Sequence, residues 1–171
     1  ALPAVAITVA PSSLPKTNSL GEISVASNKS SACPSRSLVT ELTAIAQEEM
    51  EHFGMVLEKI KARGFTLGHE RKDDYVGQLS KFIKRGGSRE GQIVDRLLFA
   101  AMIEARSCER FKMLSERISD PDLAEFYREL MFSEAGHYTT FLKLARKYGG
   151  DIDVDARWKE CLEFEAHIIQ I

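Results

Sequence analysis

The stretch GQIVDRLLFAAMIEARSCERFKMLSERISDPDLAEFYRELMFSEAGHYTTFLKLARKY, residues 91–148, decides the fold. It reads as two long helices, one from about Gly91 to Ile118 and one from about Leu123 to Tyr148. Between them, Ser119-Asp120-Pro121-Asp122 makes a tight turn with N-cap chemistry, and proline suits a helix start because the N–H it lacks would be unpaired there anyway. Gly149-Gly150 stops the second helix. So short a connection returns the second helix antiparallel to the first, and an antiparallel bundle is expected.

Two features of this hairpin carry chemistry. The run Phe99-Ala100-Ala101-Met102-Ile103-Glu104-Ala105 puts a carboxylate inside an apolar stretch, which is costly unless the charge is paired or metal-bound. Glu134-Ala135-Gly136-His137 is a Glu-x-x-His, whose three-residue step sets both side chains on one helix face about a turn apart. Measured from Asp120, Glu104 lies 16 residues before the turn, Glu134 lies 14 after and His137 lies 17 after. At about 1.5 Å per residue the three stand at nearly one height. Glu109 is only 11 residues from Asp120, too shallow for that layer. An ion pair of Glu104 with Arg106, Arg110 or a residue of another helix is the alternative reading.

Working outward, the chain from Ser37 is helical in pattern. Leu38, Leu42, Ile45, Met50, Phe53, Val56, Leu57 and Ile60 recur mostly at steps of three or four, and Arg63-Gly64 ends the helix. This helix holds a second Glu-x-x-His, Glu49 to His52. One such pair is often only a solvated pair. Two helices each giving Glu-x-x-His, with a glutamate from each of two others, is the ligand scheme of di-iron carboxylate bundles. A shorter helix is expected from Asp73 to Lys84. A last one is expected from Val154 to Ile171, with Trp158, Leu162, Ile168 and Ile169 on its apolar side. Residues 1–36 differ in character: rich in Ser, Pro and Ala, poor in charge, and without a confident element although Val5 to Val9 is strand-like. The expected organisation is therefore a divergent segment 1–36 and a helical domain 37–171.

Composition narrows the function classes. With 171 residues, 44% hydrophobic and 28% charged, the chain has the composition of a soluble globular domain. Its net charge of −2 supplies no global basic field, so any nucleic-acid contact must be local. Cys33, Cys108 and Cys161 are scattered and form no CxxC, which argues against a disulfide framework or zinc ribbon and fits a reducing compartment. Cys108 is expected as a buried free thiol. No apolar run is long enough to span a membrane, and Ala1 to Ala10 lacks the basic start of a signal peptide. His69 reads as a surface residue and His167 as a packing residue of the last helix.

The string Ile103-Glu104-Ala105-Arg106-Ser107-Cys108-Glu109-Arg110-Phe111 resembles a signature of the tRNA 2-methylthio-N6-isopentenyladenosine hydroxylase family. Ala46-Gln47-Glu48-Glu49-Met50-Glu51-His52-Phe53 is similar to that family's second-helix motif. Phe126-Tyr127-Arg128-Glu129-Leu130 with Ser133-Glu134-Ala135-Gly136-His137-Tyr138 is similar to its fourth-helix motif. The resemblance covers about Ser37 to Ile171. It implies an all-α, ferritin-like antiparallel four-helix bundle with an additional short helix and a C-terminal helix. It implies a non-haem di-iron monooxygenase that uses dioxygen and two electrons to hydroxylate the isopentenyl group of a hypermodified adenosine in tRNA. Glu49, His52, Glu104, Glu134 and His137 match the family's ligand positions, with Glu49, Glu104 and Glu134 as the catalytic carboxylates. The implied cofactor is a pair of iron ions, ferrous or ferric, bridged by oxo or hydroxo. Implied partners are tRNA and an electron-donor protein, in the bacterial cytoplasm, with a monomer or dimer as the assembly.

One departure stands out. The family's first helix carries an acidic ligand in an Asp-His-Ala-x-Cys-Glu-like string. Here that register falls near Thr17 to Ser19, where nothing is acidic, and Glu22 is the only acidic residue in the segment. Around the metal, Arg106 and Glu109 are placed by spacing to support the imidazoles. Lys81, Lys84, Arg85 and Arg89 cluster about Gly86-Gly87, with Lys59, Lys61, Arg63, Arg71 and Lys72 in a neighbouring segment; they read as phosphate contacts or as a solvated polar loop. Tyr75, Phe82 and Tyr138 read as base-stacking or core residues. Other readings of the chain are a rubrerythrin-like peroxidase, an iron-storage protein or a non-catalytic bundle. The first usually brings a four-cysteine iron module, which three scattered cysteines cannot build.

Overall fold

The computed structural model describes residues 36–69 and 71–169. Every regular element among them is helical, as expected. The strand-like Val5 to Val9, the Thr17 to Ser19 register and Glu22 lie outside the described residues. The chain divides into two compact units, Ala1–Leu67 and Gly68–Ile171.

The first unit contributes α1, Arg36–Ala62. Leu38 and Ile45 of its apolar stripe are buried, whereas Met50 is 60% exposed and so leaves the stripe. Gly64, at φ +72°, donates its N–H to Lys61 O at 2.9 Å, and the Phe65 N–H turns back to Ile60 O at 3.1 Å. This left-handed close is why a glycine follows the helix.

The second unit is built on a helical hairpin. α2 (Asp74–Leu79) runs into a 3-10 turn, Ser80–Phe82. α3 (Arg89–Arg117) and α4 (Pro121–Tyr148) pack along their length, and α5 (Val154–Ile169) lies against α2 and α3. Caps set the boundaries. The Ser88 hydroxyl accepts from Gly91 N–H at 3.0 Å, so α3 starts two residues earlier than its apolar pattern. Asp120 accepts from Asp122 and Leu123 N–H, with Pro121 in the first turn. Phe111 of α3 and Tyr127 of α4 stack with centroids 5.8 Å apart, near the bend. After α4, Gly149 is required by close approach: a Cβ there would meet Val154 Cγ2 at 2.8 Å and Ala145 O at 2.9 Å.

A buried ionic knot ties the unit's ends together. Asp95, 4% exposed, accepts from Arg157 Nε at 2.7 Å and from the Lys84 N–H at 2.8 Å. Arg157 also donates to Phe82 O at 3.0 Å and lies 3.8 Å over the Phe82 ring. The helix expected to reach Lys84 therefore ends at Phe82, because the Lys84 N–H goes to Asp95 rather than back along a helix.

The apolar side expected for α5 needs correction. Leu162 and Ile169 are 45% and 52% exposed, and the buried residues are Val154, Cys161 and Glu165. Apolar side chains occur all round this helix, and the face Val154–Trp158–Cys161–Glu165–Ile168, at alternating steps of four and three, is the one that packs.

Candidate metal centre

The inner stripe of α4 reads Leu123, Phe126, Leu130, Glu134, His137, Phe141, Leu144, all buried. Glu134 and His137 thus occupy positions that an apolar core would fill, at 5% and 4% exposure. Across the hairpin, α3 carries Val94, Leu98, Ala101, Glu104, Cys108 and Phe111 on the facing stripe. The antiparallel pairing brings Glu104 opposite the Glu134 turn. One ligand atom from each of Glu104, Glu134 and His137 lies within 4.8 Å of the others. Equal distance from the bend is the cause, since both arms rise equally per residue.

Two carboxylates and an imidazole drawn this close, with Glu134 and His137 buried and Glu104 half-buried, fit a hard-to-borderline transition metal such as iron, the donor set being oxygen and nitrogen without thiolate. Unbound and ionised, the carboxylates would repel one another in a poorly solvated site. The nearby Cys108 is partly exposed rather than fully buried as expected. Its thiol is held protonated above the usual range by desolvation and then by the negative charge of Glu134 and Glu109.

In α1, Glu49 and His52 are half-buried, and His52 Nδ1 lies 3.5 Å from Glu49 Oε1. The i,i+3 step read from the sequence places these two groups on one face of their helix.

Arg106 meets both Glu109 and the last helix. Arg106 donates through Nε and Nη2 to both oxygens of Glu165, at 2.5 and 2.6 Å, and through Nη1 to the exposed Glu109. The Tyr75 hydroxyl donates to Glu165 Oε1 at 3.2 Å. Glu165, 2% exposed, is the group sequence reading missed. A charged residue on the α5 stripe at steps of four and three was its signal, hidden by competing apolar residues. Cys161, fully buried on that stripe, has its thiol pushed up to about 12 by desolvation.

The remaining candidates scatter. Lys81, Lys84, Arg85 and Arg89 are exposed around the Gly86-Gly87 loop, beside a hollow of about 180 Å³. Phe82 is buried under Arg157, and Tyr138 packs 6.0 Å from Trp158, so both serve the core. His69 is exposed as expected, and so is His167, which was expected to pack. No helix among the described residues is long and apolar enough to cross a membrane.

A chain whose described elements are all helices, with a carboxylate–histidine layer between two antiparallel ones, is a ferritin-like protein. A solved structure described as Protein 43 with aldehyde deformylating oxygenase activity, from Synechococcus, superposes with a TM-score of 0.69 at 32% identity, over 78% of this chain and 64% of that one. Residues 24–171 match the model of the family described as tRNA-(MS[2]IO[6]A)-hydroxylase (MiaE), and the chain belongs to that family. The tRNA 2-(methylsulfanyl)-N(6)-isopentenyladenosine(37) hydroxylase of Pseudomonas putida is 38% identical over 68% of this chain. The Salmonella typhimurium protein of the same name is 34% identical over 78% of it. The chain spans about half the length of these relatives, 56% and 48% respectively.

Proposed function

We propose that this chain is a tRNA-modifying monooxygenase that holds two iron ions and hydroxylates the isopentenyl group of 2-methylthio-N6-isopentenyladenosine. The observation that carries the reading is the convergence of half-buried Glu104 with buried Glu134 and His137 in a member of this hydroxylase family. The proposed ligands are Glu104 of α3, Glu134 and His137 of α4, and Glu49 and His52 of α1, the α1 pair being assigned on its sequence spacing.

Bound there, iron supplies the activation of dioxygen, with two electrons from a donor protein. The chain's own part is placement and exclusion of water. The apolar residues above and below Glu134 and His137 keep the layer dry. Arg106, two residues past Glu104, anchors α3 to Glu165 of α5 and so fixes the height of Glu104 through the backbone. Glu109 holds the far edge of the Arg106 guanidinium. Lys81, Lys84, Arg85 and Arg89, exposed around the Gly86-Gly87 loop, supply positive charge to tRNA phosphates. The proposed compartment is the cytoplasm.

The test supplies ferrous iron, a reductant and dioxygen with isopentenylated tRNA, followed by nucleoside mass analysis. A gain of one oxygen on the modified adenosine is expected; iron bound with no gain overturns the reading. Likeness to the Synechococcus protein favours a second reading, deformylation of an aldehyde at the same centre. An aldehyde supplied under the same conditions separates the two.

A further inference from the structure

A second concave feature lies on the other side of α3 from the carboxylate layer. It is a shallow, open cleft of about 480 Å³ among α2, α3 and α5, lined by Tyr75, Met113, Leu114 and Ile169 together with Arg110 and Arg117. Its volume is in the range of small-ligand sites. Met113 and Ile169 are each 52% exposed, an apolar lining left open beside guanidinium groups. Arg106 and Glu109 also border the cleft, and Arg106 is ion-paired with both Glu109 and the buried Glu165, so those three groups supply no positive charge to it. Arg110 and Arg117 are exposed and have no carboxylate partner among the described residues. They stand seven residues apart on one stripe of α3, about 10 Å along the axis. The Tyr75 ring is fixed by its bond to Glu165, and burial together with the Glu165 charge keeps its hydroxyl protonated.

We propose that this cleft receives unpaired nucleotides of the RNA substrate, with phosphates on Arg110 and Arg117 and a base laid against Tyr75, Met113 and Ile169. The proposal rests on the RNA-hydroxylase reading above and names the surface that serves it. Two considerations favour RNA over an acidic protein partner. The cleft pairs an aromatic and apolar lining with free guanidinium groups, which is how splayed bases and their phosphates are held. Arg110 also lies only six residues from Glu104, about 9 Å along α3, whereas Arg89 of the Gly86-Gly87 loop is 15 residues away. Because Glu104 meets α4 and Arg106 meets α5, the cleft takes nucleotides flanking the reacting base and not the base itself.

The test is fluorescence anisotropy of a labelled anticodon stem-loop RNA carrying isopentenyladenosine, titrated with the full 171-residue chain over a range of salt. R110Q/R117Q is expected to weaken binding at least tenfold and to reduce the slope of log K against log salt by about 1.4, two single-strand phosphate contacts at about 0.7 each. R110K/R117K is expected to restore the slope. K84Q/R85Q is expected to weaken binding less than R110Q/R117Q. Circular dichroism and bound iron are expected to stay at wild-type values, both arginines being surface groups remote in direction from the carboxylate layer. Wild-type binding with an unchanged constant and slope in R110Q/R117Q overturns the cleft while leaving the RNA reading intact. Failure of the wild-type chain to bind this RNA overturns both.

Discussion

Glu134 and His137 stand where leucine or phenylalanine would satisfy the α4 stripe, and that substitution would remove the cost of burying a carboxylate. Their retention beside Glu104 makes sense when a cation completes the layer. Glu104→Ala is accordingly expected to at least halve the iron bound after purification without chelator while leaving helix content within a few per cent. Iron content equal to wild type would remove Glu104 from the ligand set. Glu104 was legible because one charge interrupted a run of seven residues that are otherwise apolar, and because counting from Asp120 put it level with Glu134. Glu165 was not legible, since its neighbours Phe164, Ile168 and Ile169 offered several possible faces and nothing local chose among them.

Among the elements, α5 is tied to the hairpin by two ion pairs with buried carboxylates, Arg106–Glu165 and Arg157–Asp95. The Arg157 side chain is 11% exposed and that of Asp95 is 6% exposed. Arg157→Ala would strand the Asp95 carboxylate in the interior, and breaking a buried pair from one side costs about 3–5 kcal/mol. Urea unfolding should show that loss as a lower midpoint with an unchanged slope; a change under 1 kcal/mol would mean that Asp95 finds water or another donor. Helix positions were readable from apolar steps, and their ends from Asp120-Pro121, Gly64 and Gly149. The early start of α3 at Arg89 was not, because the Ser88 cap precedes the first apolar residue. The shortening of α2 was not either, because its cause is Asp95, 11 residues downstream of Lys84.

For the molecule as a whole, a net charge of −2 leaves recognition to local patches, and two of them sit toward opposite ends of α3. Iron storage needs a closed shell of many subunits. Light scattering is expected to give a mass near the 19.1 kDa chain or twice that; a mass of many subunits would favour storage over the hydroxylase. The paired arms of the hairpin have one more implication. The intervals from the Asp120 bend to Glu104 on one arm and to Glu134 on the other work as matched rulers. Deleting a single residue from either would draw its donor about 1.5 Å toward the bend and swing it through about 100° around the axis. Inheritance can therefore redraft much of the outer lettering of these arms, while their spelling length stays fixed.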